Sequence, residues 1–433
     1  MRLKVSEAQW CAFAEHLLER TDVESAGIVL ARALDAAGGP LLVADELLVV
    51  PDDGYIIRRF DQIRIDPIVM NRMTQRARDE GLSIFTVHTH PMATDAWFSW
   101  ADDNGDKRLM PSLHAQAPGP HGSIVIVPGG GALARAFDEN GEVTVLDFDV
   151  VGRRLVWHGE ARERRADDRF ARQELALGPA GQARLRSLRV GVVGLGGVGS
   201  VVAVQLAHLG IGELVYIDGD TVSASNLSRV LGARVTDIGK KKVEVAARYV
   251  SEAGLPVKVT TIEKPLSSED IALMRSCDVV FSCVDTHTPR SLLNALAYDA
   301  LVPLIDMGTA FRVDAESGAI TSSGGRVVVV GPGRPCLGCW GHLNADRLRE
   351  EALSSEERAA LQGQGYLGGV DVAQPSVVAF NTVVAGAAVI ELLRLVTGFS
   401  GSDDPPNRLG FMFEEGTVSR SEVQARATCR CRR

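Results

Sequence analysis

Residues 188–220 read LRVGVVGLGGVGSVVAVQLAHLGIGELVYIDGD, and this stretch decides the fold of the larger part of the chain. An apolar strand, LRVGVVGLG, runs into Gly194-Leu-Gly196-Gly197-Val-Gly199, which opens the helix GVGSVVAVQLAHLG; the strand ELVYIDGD follows. Glycines at such a junction let backbone approach a phosphate, and the helix N-terminus adds donors and positive potential. Asp218, about 20 residues on, ends the second strand, where a carboxylate can hold ribose hydroxyls. Taken alone, this pattern fits a nicotinamide-dependent oxidoreductase as well as any other nucleotide enzyme.

The chain downstream narrows the choice. KKVEVAARYVSEAG (helix), VKVTTIE (strand), SSEDIALMRSC (helix) and DVVFSCVD (strand) continue the alternation, predicting a doubly wound parallel sheet. Asp218, Asp220, Asn226 and Arg229 crowd the segment after the second strand, Gly239-Lys-Lys-Lys242 opens the next helix, and DVVFSCVD ends on Asp285, followed by Thr286. Hydride transfer leaves a pyrophosphate intact and has no need of these groups. Adenylation breaks the bond between the α- and β-phosphates, so it needs cations on the developing charge and a carboxylate for Mg²⁺.

GLGGVG, DGDTVSASNLSR, GKKK and SCVDTHTPR, with RFARQ near residue 170 and QPSVVAFNTVVAGAAVIELLRLVTG later, closely resemble the successive motifs of the ThiF/MoeB and ubiquitin-activating-enzyme family. The resemblance covers roughly residues 165–415 and implies a Rossmann-type domain that uses ATP and Mg²⁺. It implies that Gly197, Asp218, Arg229, Lys242 and Asp285 contact ATP or its magnesium. Arg229 and Lys242 would hold phosphates, with Asn226 beside them and Asp285 serving the metal. Arg172 corresponds to an arginine that reaches a neighbouring subunit's nucleotide site, implying a homodimer. Val230 and Thr286 depart from the usual Gln and Asn, without loss of a charged group.

Cys336-Leu-Gly-Cys339 has the spacing for two thiolates on one tetrahedral Zn²⁺. Relatives supply a second Cys-x-x-Cys near the C-terminus; this chain has the tighter Cys429-Arg-Cys431, so either a structural zinc site or a frayed basic tail is consistent with it. Residues 340–380 contain no cysteine to carry a thioester, and Cys277 and Cys283 read as core.

Before residue 150 the pattern is different. A helix over 6–20, strands AGIVLARAL, LLVADELLVV, LSIFTVHTHP and GSIVIVP, and the hairpin ALARAFDENGEVTVLDFDV predict a separate α/β domain over 1–150, followed by an Arg-rich linker and helix over 151–187 and the Rossmann-type domain over 188–433. His88 and His90, at i and i+2 on one strand, point the same way and can share a metal. Asp102 completes three ligands, leaving a fourth position for water; Asp103 and Asp106 are alternatives. His-Thr-His-Pro followed by Ser99-Trp-Ala-Asp102 resembles the JAMM family of zinc isopeptidases, whose fold is cytidine-deaminase-like. That resemblance implies His88, His90 and Asp102 as zinc ligands, Glu24 as general base and Ser99 as oxyanion stabiliser.

The net charge of −9 argues against nucleic acid as the main partner. The N-terminus has no leader-like apolar run, and the apolar stretches 189–206 and 376–390 carry polar breaks, so the expected setting is cytoplasmic with no membrane span. The leading expectation is ATP-dependent adenylation of the C-terminal glycine of a ubiquitin-like β-grasp protein. The N-terminal domain would trim or deconjugate that protein, and a conjugating enzyme is a further expected partner. The alternatives are activation of a sulfur-carrier protein and a non-catalytic scaffold that binds a ubiquitin-like protein.

Overall fold

The computed structural model describes residues 1–158, 167–314, 316–354, 356–357, 375–399, 401 and 405–432. It forms two compact units, Met1–Ala161 and Arg162–Arg433.

The first unit contains β1 (Arg2–Ser6), α1 (Glu7–Leu18), β2 (Ala26–Leu34), β3 (Leu41–Val49), β4 (Tyr55–Arg58), β5 (Ile63–Ile65), α2 (Pro67–Glu80), β6 (Ser83–Thr89), α3 (Trp100–Gln116), β7 (His121–Ile126), β8 (Ala132–Phe137), β9 (Val143–Val145), β10 (Asp147–Val151) and β11 (Leu155–His158). Nine strands make one mixed sheet in the order β11-β10-β1-β3-β2-β6-β7-β8-β9. Side chains alternate across β2, so it feeds two cores. Val29 and Ala31 join Trp10, Phe13 and Leu17 of α1 on one face. Ile28 and Leu30 join Ala77, Met110 and Leu113 of α2 and α3 on the other.

Two expectations are corrected in this unit. The hairpin after residue 132 closes with β9; β10 leaves it and pairs in parallel with β1, a strand the sequence reading did not separate from the first helix. Residues 155–158, expected in the linker, pair as β11 with β10. The Arg-rich residues 159–166 lie outside the described residues.

The second unit contains α4 (Ala171–Ser187, broken at Gly178), β12 (Arg189–Val193), α5 (Gly197–His208), β13 (Glu213–Ile217), α6 (Lys242–Glu252), β14 (Lys258–Ile262), α7 (Ile271–Arg275), β15 (Val279–Ser282), α8 (His287–Asp299), β16 (Leu304–Val313), β17 (Ile320–Val330), α9 (Ala345–Ala352), α10 (Val378–Thr397), β18 (Arg408–Met412) and β19 (Thr417–Ser421). The sheet order is β14-β13-β12-β15-β16-β17-β18-β19. The expected parallel winding holds from β14 to β16, and from β16 to β19 the strands form an antiparallel meander. The correction has a local cause. Gly318 follows β16 at φ 69 and reverses the chain, so no crossover helix separates β16 from β17.

The polar stretch 343–374, expected as a surface loop, begins with α9; residues 355 and 358–374 lie outside the described residues. α10 is long and apolar enough to cross a membrane by length and composition alone. It packs on α5, β16 and β17, which accounts for its apolar character.

Candidate functional site

Two constellations emerge, one in each unit. In the first unit, Ser25 and Thr89 tie the end of β6 to the segment carrying Glu24: the Ser25 amide donates to Thr89 Oγ1 at 2.8 Å, and the Thr89 amide to the Ser25 carbonyl at 3.0 Å. Arg58 holds the same segment, donating to the Glu24 carbonyl at 3.1 Å and Ser25 Oγ at 2.7 Å. Glu24 is thereby buried beside His88 and His90. Burial pushes its carboxyl up to about 7; the two imidazoles pull against that rise and Asp102 adds to it.

Ser99 and Asp102 open α3 as a capping box. Asp102 Oδ2 accepts from the Ser99 amide at 2.6 Å, and Ser99 Oγ accepts from the Asp102 amide at 3.2 Å. The spacing singled out as catalytic is thus also what starts the helix. Asp102 Oδ1 lies 3.0 Å from His88 Nε2, Oδ2 lies 3.5 Å from His90 Nε2, and the two imidazole nitrogens are 3.2 Å apart. Donors about 2.0–2.1 Å from a tetrahedral ion stand roughly 3.3–3.4 Å from one another, so the three residues fit zinc. Asp103 and Asp106 are not alternative ligands. Arg135 takes both, at 2.6 Å each, and Ser123 Oγ donates to Asp106 at 2.5 Å.

In the second unit, Gly194, Asp218 and Asp285 follow the C-terminal ends of the adjacent parallel strands β12, β13 and β15. β15 ends at Ser282, so Asp285 stands in the loop beyond it, exposed, with Thr286 at the position just before α8, where its side chain makes no capping bond. Gly194 has φ 88, and a Cβ there would lie 2.7 Å from the Cys283 carbonyl. A Cβ on Gly199 would strike the Gly194 carbonyl, and one on Gly197 would strike Asn381 Nδ2. Gly196 is the N-cap of α5.

Asp218 accepts from the amides of Leu195 at 2.6 Å and Asp220 at 2.7 Å, joining the glycine loop to the next strand's turn. Lys242 Nζ donates to Asp220 at 2.7 Å, and Arg229 Nη1 to the Ser225 carbonyl at 2.7 Å. Asn226 is buried and accepts from the Ser223 amide at 3.3 Å, so its side chain builds the turn carrying Arg229. Arg172 is exposed on the first turn of α4.

Three features of this site escaped the sequence reading. Glu351 of α9 sits on the first amides of α8, beside Asp285 and Thr286. Asp306 is fully buried and accepts from Arg290 Nε at 2.9 Å, while Arg290 Nη2 donates to the Val284 carbonyl, fixing the peptide before Asp285. Asn381 of α10 is fully buried against Gly197; its only signal in the sequence is one amide near the start of a largely apolar helix.

The four cysteines converge. Cys336 and Cys429 sulfurs are 3.5 Å apart, Cys339 and Cys431 sulfurs 3.7 Å, and all four ligand atoms lie within 4.8 Å of one another. Zn–S bonds of about 2.3 Å set tetrahedral sulfurs roughly 3.8 Å apart, so the tighter Cys-x-Cys fits. The tail bearing it is docked: Arg430 pairs with Asp299 at 2.8 Å, and the Arg426 amide donates to Cys339 Sγ at 3.3 Å. The amide of Cys431 helps hold Cys429 down to about 7, and burial pushes Cys336 and Cys431 up.

Comparison with known proteins addresses the second unit. A SAMP-activating enzyme E1 from Haloferax volcanii is 34% identical over 40% of this chain and 61% of its own length. The molybdopterin-synthase adenylyltransferase of Escherichia coli is 35% identical over 42% and 68%. The adenylyltransferase and sulfurtransferase uba4 of Neosartorya fischeri is 35% identical over 40% and 33%. The profile of the ThiF family matches residues 170–432, the stretch that holds the glycine loop, Asp218, Lys242, Asp285 and the four cysteines; this chain belongs to the ThiF family.

Proposed function

We propose that the second unit transfers AMP from ATP to the C-terminal carboxylate of a small carrier protein ending in glycine, releasing pyrophosphate. The observation that carries this reading is that Gly194, Asp218 and Asp285 follow the adjacent strands β12, β13 and β15, with Lys242 tied to Asp220 just beyond β13, within a ThiF-family stretch. In it Asp218 takes the ribose, Arg229 and Lys242 take phosphate charge, and Asp285 holds the magnesium that accompanies ATP. Asp220, hydrogen-bonded to Lys242, orients that lysine. Arg172 completes the site of a second copy in a homodimer. The four cysteines hold a structural zinc.

The sequence reading put ubiquitin-like conjugation first and sulfur-carrier activation second. Beside a SAMP-activating enzyme E1, the names of the other two relatives favour the second: one is a molybdopterin-synthase adenylyltransferase and another an adenylyltransferase and sulfurtransferase. The reading favoured is therefore activation of a sulfur carrier, in the cytoplasm, with the adenylate passing to a sulfur donor. The test is ATP–pyrophosphate exchange with β-grasp proteins ending in glycine, comparing wild type with Asp285→Ala, followed by mass analysis of the product formed when sulfide and an amine-bearing protein are supplied to displace AMP. A thiocarboxylate supports sulfur-carrier activation; an amide-linked conjugate restores the first expectation. Absence of carrier-dependent exchange would leave a scaffold.

For the first unit we propose a zinc-dependent peptidase acting on the same carrier. Its support is the convergence of His88, His90 and Asp102 with buried Glu24. These three residues would hold zinc, which supplies Lewis acidity to a water. Glu24 takes the proton from that water, and Ser99 donates its hydroxyl to the oxyanion. Release of residues beyond the carrier's terminal glycine by wild type, and not by Glu24→Gln, is the expected result.

A further inference from the structure

The antiparallel end of the second unit's sheet carries a cluster of positive charge that the adenylation chemistry does not use. Register pairs Asp306 with Val328, Gly308 with Arg326, Arg326 with Gly410, and Val328 with Arg408. Asp306, Gly308, Arg326, Arg408 and Gly410 therefore share one face of β16–β18. Both guanidinium groups lie over bare backbone: a Cβ on Gly308 would be 3.5 Å from Arg326 Nη1, and one on Gly410 would be 3.4 Å from Arg408 Nη1.

Charge on this face is not balanced. Asp306 is already occupied by Ser282 Oγ at 2.8 Å, Arg290 Nε at 2.9 Å and Arg326 Nη2 at 3.0 Å. Arg408 makes no ion pair among the described residues; its Nη1 donates to Ser421 Oγ at 3.2 Å, and its guanidinium carbon stands 5.5 Å from the Trp340 ring. Arg326 Nε, Arg408 Nε and His342 Nε2 are shielded from solvent with no hydrogen-bond partner among the described residues. Burial holds Arg326 below its ordinary value, Asp306 opposing while Arg290 and Arg408 add to the effect. Each guanidinium is therefore bonded only in part, and a shielded donor left without a partner is costly unless an acceptor joins it.

Position selects the anion. Ser282 pairs with Asp306 where the parallel part of the sheet ends, next to the loop carrying Asp285. In the strand order, β15 separates this cluster from β12 and β13, which bear the glycine loop and Asp218. In the adenylation reading ATP phosphates take the Arg229 and Lys242 side, which leaves β16–β18, on the other side of β15, for the second reactant. Its terminal carboxylate has to stay free to attack phosphorus, so a different carboxylate must neutralise the cluster.

We propose that Arg326 and Arg408, with His342 stacked 6.4 Å from the Trp340 ring that Arg408 faces, form a recognition site for an acidic side chain in the carrier's C-terminal tail, upstream of the terminal glycine. This rests on the adenylation reading, and Gly308 and Gly410 give an extended tail close access to the sheet. One bidentate Arg–carboxylate contact in this setting corresponds to about tenfold in affinity.

The experiment measures binding to the full chain of fluorescein-labelled peptides ending in Gly-Gly, a single Glu or Gln being moved one position at a time upstream. At one position the glutamate peptide binds wild type about tenfold more tightly than its glutamine twin. That ratio falls towards one in Arg408→Gln, which leaves the Asp306 pair intact, and in Arg326→Gln. Equal binding of the twins at every position, or a preference that survives both substitutions, overturns the proposal. So does inorganic pyrophosphate binding that Arg408→Gln abolishes, since the anion is then the product. Exchange run with β-grasp carriers on the same preparation separates the two readings. Exchange without glutamate preference sinks only this site, whereas no exchange with any carrier removes the adenylation reading and this site with it.

Discussion

Glu351 seats its carboxylate on the start of α8: Oε1 accepts from the His287 amide at 2.8 Å and Oε2 from the Thr288 amide at 2.7 Å, across 64 and 63 residues of sequence. Thr288 Oγ1 donates a further bond at 2.7 Å. The first amides of a helix have no internal partner and its dipole favours an anion there, so α9 supplies α8 with a cap. Burial opposes ionisation of Glu351, and these amide and hydroxyl bonds outweigh it, holding the carboxyl below its ordinary value. Asp285 and Thr286 immediately precede the capped turn.

Glu351→Ala is expected to cost about 1–2 kcal/mol of second-unit stability, the range of a lost cap with charge-assisted bonds. Glu351→Gln, which keeps an acceptor oxygen and loses the charge, falls between alanine and wild type. Urea midpoints measure the loss, and amide exchange locates it at His287 and Thr288. Unchanged exchange at those two amides would show that the cap does not hold α8.

Metal content separates the two clusters. The full chain, dialysed against zinc and then buffer, is expected to retain two ions, one for each cluster. His88→Ala leaves one, Cys339→Ser leaves the other, and the double variant leaves none. Only the cysteine substitution lowers the melting temperature of the second unit, because those thiolates join the tail to the segment before α9. Two ions retained in His88→Ala would remove the first site.

How much of this was legible in the sequence follows the reach of each interaction. The glycine loop, Asp218 and the alternation from β12 to β15 are local patterns, each set within a strand and its neighbouring helix. Asp102 was readable for the same reason, although its capping bond to Ser99 gives the motif a second cause. The meander β17–β19 was not legible, since a run such as RVVVV suits parallel and antiparallel neighbours alike. Nor were the Arg326–Asp306 and Arg135–Asp106 pairs, in which charged residues 20 and 29 apart meet only after strands pair or a helix packs. Glu351 belongs to a polar stretch that looks like solvated loop until its carboxylate is seen on α8.

Gly197 and Asn381 give a test of packing at the nucleotide loop. A Cβ at Gly197 meets Asn381 Nδ2, and that amide is fixed by Thr309 Oγ1 at 3.1 Å and Ser376 Oγ at 3.0 Å. Gly197→Ala is expected to destabilise by about 1–3 kcal/mol through overpacking. In an Asn381→Ala background the added methyl has room, so the same change costs less than about 1 kcal/mol. Additive effects in this double-mutant cycle would mean that the loop relaxes away from α10 instead.

His121 makes first-unit stability depend on pH. It is fully buried, its Nδ1 accepts from the Ile84 amide at 3.0 Å, and its Nε2 faces the Ala117 carbonyl at 3.1 Å. Nδ1 therefore has to be unprotonated, and the ring is neutral with its hydrogen on Nε2. Burial lowers its pKa from 6.5; the Ala117 bond opposes this and His114 adds to it. A base with a depressed folded value takes up its proton first in the unfolded chain. The contribution is complete above about 6.5 and is lost as pH falls below it, at up to about 1.4 kcal/mol per pH unit until the folded value is reached. Between about pH 7.5 and 5.5, wild type should lose about 1 kcal/mol more stability than His121→Asn, which does not titrate. Urea midpoints of both proteins at the two pH values measure this; carboxylates and metal ligands elsewhere are shared and cancel in the difference. Parallel losses in the two proteins would mean that His121 accepts its proton inside the fold, by breaking the bond from Ile84.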